Sequence, residues 1–85
     1  NEQGRTDILK VHTKKMNLQK VSLKKLAAEM EGFTGAEIKA VCTESGFFAI
    51  REDRDHVTHE DFLEATEKIR FEEEDDGIEH RSLLG

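Results

Sequence analysis

The six residues Gly32-Phe33-Thr34-Gly35-Ala36-Glu37 read as the end of one helix and the start of the next. Thr34 and Glu37 have the spacing of a capping box, in which each side chain accepts a hydrogen bond from the other residue's backbone N–H. Gly35 and Ala36 are small, and the N–H groups of a first helical turn have no partner within the helix. A planar or anionic ligand could therefore approach closely, because a helix N-terminus carries partial positive charge. Most such spacings only begin a helix, so this stretch alone is weak support for a ligand site.

Helical periodicity extends outward from this stretch in both directions. Apolar residues recur at the three- and four-residue spacing of an amphipathic helix, which predicts four helices over about 6–16, 23–31, 34–53 and 58–71. Ser22, Thr34 and Thr58 are suitable N-caps for the last three, and Gly32 is a suitable C′ residue for the second. Two short segments, around 20–21 and 56–57, are expected to pair as a minimal strand ladder. The expected fold class is therefore mainly α, with four helices and one possible two-stranded ladder, which we expect to be parallel.

The same periodicity predicts which side chains form the core. The third helix is the longest and carries the widest apolar stripe, so we expect it to lie centrally and to contact several other helices. Its stripe consists of Ile38, Val41, Cys42, Ser45 and Ala49, broadened by Ala40, Phe47, Phe48 and Ile50. The corresponding residues of the other helices are Ile8, Leu9, Val11, His12 and Met16; Leu23, Leu26, Ala27 and Met30; and Phe62, Ala65, Thr66 and Ile69.

Length and composition indicate one small domain or a fragment of one. The chain has 85 residues, five Phe, and no Trp, Tyr or Pro, which favours a helical domain over a sandwich or barrel. Residues 1–71 are predicted to form this domain, and the acidic run from Glu72 onward is predicted to be a flexible tail over 72–85. The single cysteine, Cys42, excludes an internal disulfide and fits a reducing, intracellular compartment. No stretch of eighteen apolar residues indicates a membrane span.

The motifs of an independent enzyme are missing from the sequence. It contains no Gly-x-x-x-x-Gly-Lys-Ser/Thr phosphate loop, no Gly-x-Ser-x-Gly elbow and no His-Glu-x-x-His metal motif. His56 and His59 straddle a predicted helix start and do not share a helical face, so no metal site is expected. Cys42 lies within the apolar stripe and reads as a small core residue. We therefore predict no catalytic residues and no enzyme activity for this chain alone.

The charge distribution leaves one competing function open. The net charge is −6, yet residues 1–26 carry seven basic and two acidic side chains, whereas 59–80 carry ten acidic and two basic ones. This asymmetry fits either head-to-tail packing of neighbouring subunits or two solvated faces. A long central helix and clustered lysines also fit a histone-like nucleic-acid binder. However, the chain is acidic overall and no aromatics interleave with the lysines as stacking platforms.

Taken together, the segments resemble the C-terminal helical lid subdomain of AAA ATPases. The likeness is greatest to archaeal proteasome-activating nucleotidase and the homologous ATPase subunits of the eukaryotic proteasome, and it covers roughly residues 4–70. No single short motif is specific, but their number and order are. The segments that carry it are Gly4-Arg5-x-x-Ile8-Leu9-Lys10-Val11-His12-Thr13-Lys14-Lys15-Met16-Asn17-Leu18, Glu31-Gly32-Phe33-Thr34-Gly35-Ala36-Glu37-Ile38-Lys39, Val41-Cys42-Thr43-Glu44-Ser45-Gly46, Ala49-Ile50-Arg51-Glu52 and Val57-Thr58-x-x-Asp61-Phe62.

The resemblance implies one wall of a nucleotide pocket whose phosphate loop lies on a separate, larger subdomain. By position, Ile8 and His12 would contact the adenine of ATP or ADP, and Gly35 and Ala36 would lie against the adenine and ribose. It further implies neighbouring ATPase subunits in a hexameric ring, the proteasome core particle and unfolded protein substrates as partners, a cytoplasmic location, and neither nucleic acid nor membrane as a partner. A lid from a non-proteasomal AAA unfoldase or remodeller is the alternative.

The C-terminal residues depart from the family's pattern. Proteasomal ATPases of this kind often end in a hydrophobic residue, tyrosine and any residue, which docks between proteasome α-subunits. This sequence ends Leu83-Leu84-Gly85, with leucine where tyrosine is expected. Docking through this segment is therefore in doubt if this is the native end.

Overall fold

A computed structural model of the chain describes the backbone of residues 1–84 and the side chains of residues 1–72. Within this part of the chain, four helices and two short strands follow one another, which confirms the predicted mainly α fold. No helix among the described residues is long and apolar enough to cross a membrane. In chain order the elements are α1 (Glu2–Thr13), β1 (Leu18–Gln19), α2 (Leu23–Glu29), α3 (Gly35–Arg51), β2 (Val57–Thr58) and α4 (His59–Leu84).

Helix α1 begins and ends earlier than the apolar pattern predicted. Asn1 is its N-cap, and the Asn1 side chain accepts a hydrogen bond from the backbone N–H of Gly4 at 2.6 Å. At the other end, the N–H of Met16 donates to the carbonyl of Thr13 at 2.9 Å, which closes a turn after the helix. The prediction of 6–16 was wrong at both ends, since apolar periodicity locates a buried face and does not locate caps.

The predicted strand ladder is present and parallel, but its register differs from the expected one. Leu18 pairs with Val57 and Gln19 pairs with Thr58, whereas segments around 20–21 and 56–57 had been expected. Lys20 has a φ of 56°, in the left-handed region, so the chain turns away directly after β1. The ladder ties the loop after α1 to the start of α4.

Helix α3 is the centre of the fold, as predicted, and packs against both α1 and α4. All five residues of its predicted stripe are buried, and so are the four predicted for α4. The prediction was wrong for Phe47 and Ile50, whose exposed fractions are 57% and 68%, and for Val11 of α1, at 68%. The neighbouring helices leave this side of α3 uncovered, so an apolar residue outside the stripe faces water.

The junction between α3 and α4 is held by a buried carboxylate. Asp61 is 4% exposed, and both its oxygens accept hydrogen bonds from Arg54, at 2.6 and 2.8 Å. Glu52, Asp53 and Asp55 lie nearer to Arg54 in the chain, yet the Arg54 guanidinium pairs with Asp61. The Arg54 guanidinium lowers the pKa of Asp61 to about 2, and Asp61 raises the pKa of Arg54 in return.

Helix α4 continues through the acidic run that was assigned to a tail. Its bounds are His59–Leu84, and the last described apolar side chain on it is Phe71, which is exposed. The side chains of 73–84 and the whole of Gly85 lie outside the described residues. The prediction of a flexible tail over 72–85 therefore stays a prediction, and the doubt about docking through Leu83-Leu84-Gly85 stays open.

Candidate functional site

The seam between α1 and α3 brings together two of the four residues predicted to form the site. A Cβ atom placed on Gly35 would lie 3.8 Å from Cδ1 of Ile8, so the isoleucine side chain lies against the first turn of α3. Ile8 is half-buried and Gly35 is exposed. An apolar side chain and an unobstructed stretch of helix backbone therefore face solvent side by side.

His12 lies on the same seam, one turn further along α1. It is half-buried and lines a shallow cavity of about 330 Å³. Ile8 adjoins Gly35, and His12 shares this cavity with Lys39, so the two helices run in the same direction along the seam. The cavity is lined by His12, Met16, Lys39, Cys42, Thr43 and Gly46.

The start of α3 has the capping box that its sequence predicted. The Thr34 N–H donates to Oε1 of Glu37 at 2.7 Å, and the Glu37 N–H donates to Oγ1 of Thr34 at 3.2 Å. Glu37 is thus engaged as a cap, as expected. Gly35 and Ala36 are both exposed within this first turn, where the backbone N–H groups carry the positive end of the helix dipole.

The site includes residues that sequence reasoning had missed. Lys39 and Thr43 line the cavity beside His12, and neither had been considered as a site residue. The signal was available in the sequence, because Gly35, Lys39 and Thr43 follow one another at four-residue spacing and so lie along one face of α3. Ala36 is exposed beside Gly35.

Two histidines outside the seam, His56 and His59, make contacts within the described part of the chain. Nδ1 of His59 accepts a hydrogen bond from the Ser22 N–H at 3.3 Å, and Nδ1 of His56 lies 3.1 Å from Oδ1 of Asp55. Among residues 1–72, no three His, Cys, Asp or Glu side chains are grouped as a metal site would require. Burial raises the pKa of the Cys42 thiol to about 11, so it stays protonated near neutral pH and is a poor nucleophile.

Comparison with known proteins identifies the family to which this chain belongs. Residues 20–64, more than half of the chain, match the family model described as the AAA+ lid domain. The chain belongs to this family. The match includes Gly35 and Ala36 and begins after Ile8 and His12.

Two relatives that match along nearly the whole chain carry names that refer to the proteasome. The chain is 51% identical over 84 residues to 26S proteasome regulatory subunit 8 homolog B of Arabidopsis thaliana, covering 98% of the chain and 20% of the relative. It is 50% identical over 86 residues to the proteasome-activating nucleotidase of Methanococcus vannielii, covering 99% and 21%. The predicted resemblance is confirmed. The chain spans about a fifth of the length of these relatives.

Proposed function

We propose that this chain is the lid of a proteasome-activating AAA ATPase and closes over the adenine of bound ATP or ADP. The observation that carries the proposal is the seam at which Ile8 lies against the exposed backbone of Gly35, with His12 one turn further along α1. Family membership makes an AAA lid the class of protein to consider, and the full-length relatives direct the proposal toward the proteasome.

The seam suits a purine base for two physical reasons. The half-buried Ile8 offers an apolar surface to one face of a planar ring, and the His12 imidazole can hydrogen-bond to a ring or ribose edge. Gly35 and Ala36 let the ligand approach the helix backbone without meeting a long side chain. The residues present therefore fit an adenine nucleotide, with Ile8, His12, Gly35 and Ala36 holding the base and ribose.

The fold itself does not require a glycine at position 35. A Cβ there would meet only Ile8, at an ordinary van der Waals distance of 3.8 Å, and the position is exposed at a helix start. Glycine is less favourable than alanine in a helix. Packing within the chain therefore does not explain the glycine at position 35, whereas the close approach of a ligand would explain it.

The mechanism we propose is mechanical. Hydrolysis of bound ATP to ADP and phosphate would supply the free energy, and the residues that catalyse it would belong to a larger subdomain. This chain contributes a wall that contacts the base, so its angle to that subdomain depends on which nucleotide is bound. In a hexameric ring the lid transmits the change of angle to the next subunit, and substrate protein is unfolded and moved toward the proteasome.

An ADP titration followed by amide chemical shifts tests the proposed wall. We expect shifts concentrated at Ile8, His12, Gly35 and Ala36, with a dissociation constant of about 1 mM or weaker because half of the pocket is missing. Shifts spread evenly over the chain, or none at these residues, would contradict a preformed wall. A short DNA duplex serves as the second titrant, and a larger response to it along the lysines of α1 would favour the nucleic-acid alternative.

A matched pair of variants separates a local effect from a general one. Ala36→Val adds two methyl groups beside the proposed base, whereas Ala28→Val makes the same change at an exposed position of α2. We expect Ala36→Val to abolish the ADP shifts and Ala28→Val to leave them unchanged. Equal responses from the two variants would remove Ala36 from the site.

A further inference from the structure

Lys39 carries a positive charge that no described carboxylate neutralises. Its side chain is exposed on α3, and Nζ takes part in none of the ion pairs of the described residues. The exposed lysines of α1 and α2 also have no such partner, but Lys39 differs from them in its position. It lines the cavity of about 330 Å³ beside His12, and Thr43 adds a hydroxyl group to the same lining. A positive charge therefore stands at the edge of the proposed adenine wall.

Lys39 lies one helical turn beyond the position proposed for the base. Gly35 and Lys39 are four residues apart, which at 1.5 Å per residue separates them by about 6 Å along the axis of α3. Ile8 and His12 have the same separation on α1, and the two helices run in the same direction along the seam. A sugar that extends along the seam from a base at Ile8 therefore reaches the level of His12. The group beyond the sugar comes within the reach of the Lys39 side chain.

Charge and open space favour this end of the seam over the other. At the start of α3, Oε1 of Glu37 accepts a hydrogen bond from the Thr34 N–H at 2.7 Å, so a carboxylate already occupies that helix start. A phosphate placed there would be repelled by the carboxylate, which offsets the attraction of the helix dipole. The opposite end offers the cavity and the Lys39 ammonium group. The anionic part of a bound nucleotide is therefore directed toward Lys39.

We propose that Lys39 binds the α-phosphate of the nucleotide whose base contacts Ile8 and Gly35. This inference rests on the proposed function and adds to it the residue with which the chain distinguishes a nucleotide from a nucleoside. Nζ donates a charge-assisted hydrogen bond to a phosphate oxygen, whereas the base and ribose contacts are the same for both ligands. Because the contact is open to solvent, it strengthens binding by about threefold, as an exposed ion pair does.

Adenosine and AMP test the proposal, because they differ only in the phosphate group. Each is titrated into the chain at low salt, and binding is followed by the amide chemical shifts of Ile8 and Gly35. We expect both ligands to shift these amides and AMP to bind about threefold more tightly. Equal affinities for the two ligands would overturn the role of Lys39 and leave the adenine wall in place. If neither ligand shifts these amides, the wall itself is contradicted, and the role of Lys39 with it.

Substitutions at two lysines separate a local contact from a general charge effect. Lys39→Gln should lower the affinity for AMP to that for adenosine and leave the affinity for adenosine unchanged. Lys39→Arg keeps the positive charge and should retain the preference for AMP. Lys24→Gln removes the same charge from an exposed position of α2 and should behave as the original chain does. Equal losses from Lys39→Gln and Lys24→Gln, or loss of adenosine binding in Lys39→Gln, would contradict the proposed contact.

Salt provides a further measurement that leaves the chain unchanged. In about 1 M salt the screening length falls to about 3 Å, so an exposed contact between opposite charges is weakened. The preference for AMP should then shrink toward equal affinities, whereas adenosine, which carries no charge, should bind as it does at low salt. A preference for AMP that salt does not reduce would overturn an electrostatic contact between Lys39 and the phosphate.

Discussion

Two helices of this chain begin with the same device, yet the two beginnings differ in what surrounds them. Helix α3 starts at Thr34 with Glu37 three residues on, and α4 starts after Thr58 with Asp61 three residues on. In both, the threonine hydroxyl and the carboxylate exchange hydrogen bonds with backbone N–H groups. Local chemistry makes these two caps nearly equivalent.

Their surroundings make them different. Asp61 is 4% exposed and accepts two further hydrogen bonds from Arg54, so this cap also locks α3 to α4. At the α3 cap, Thr34 is exposed, Glu37 is partly exposed, and the two residues between them are open to solvent. The start of α4 is thus covered by contacts within the chain, whereas the start of α3 is accessible to solvent. Of these two helix starts, only that of α3 is therefore a candidate ligand site.

The largest expected effect comes from removing each carboxylate in turn. Asp61→Ala should lower the free energy of unfolding by about 3 kcal/mol, because it leaves a partly buried Arg54 without its partner. Glu37→Ala should lower the free energy of unfolding by only about 0.5 kcal/mol, which is the net contribution of one exposed hydrogen bond. Urea denaturation measures both, and similar losses for the two variants would contradict the comparison.

The next largest effect is a pH dependence of stability, which we expect from the buried carboxylate of Asp61. The folded-state pKa of Asp61 is lowered to about 2, below its ordinary value of about 3.9. Its contribution is therefore fully present above the unfolded-state pKa, and about 2 kcal/mol of stability is lost as pH falls from about 5 to about 2. The difference between the original chain and Asp61→Asn, measured by denaturation at each pH, should contain this loss. A difference that does not vary with pH would refute the assignment.

The smallest expected effect tests whether the open helix start is needed by the fold. Gly35→Ala should change stability by no more than about 0.5 kcal/mol, since its Cβ meets only ordinary contacts. Gly32→Ala is the control, and it should cost about 1 kcal/mol because Gly32 has a φ of 87°. Thermal unfolding distinguishes the two, and a large loss from Gly35→Ala would mean that packing, and not a ligand, explains the glycine.

Most of the fold could be predicted because its signals are local. Ser22 and Thr34 cap their helices as expected, and the stripes on α3 and α4 are buried in full. Exposure of Phe47 and Ile50 could not be predicted, since periodicity shows how wide an apolar surface is but not how much of it a neighbouring helix covers. The strand register was also missed, since two-residue strands carry almost no pattern of their own.

Local sequence signals indicated only part of the candidate site. Gly35 and Ala36 stand out in the sequence because a capping box encloses two small residues. Ile8 and His12 entered only through the resemblance to AAA lids, since a helix face alone does not show which other helix it meets. Lys39 was missed, because its place beside His12 depends on α1 and α3 running in the same direction along their seam.

By itself, the sequence determined the helices α2, α3 and α4 at their starts, the central role of α3 and the membership of the AAA+ lid family. These depend on caps, periodicity and residue identity, all of which act over a few positions. Only the tertiary structure decided that Arg54 binds Asp61, that Ile8 lies against Gly35, and that one of two similar helix starts stays open. Those outcomes depend on which surfaces the packed helices cover, and interactions between residues far apart in the chain decide that coverage.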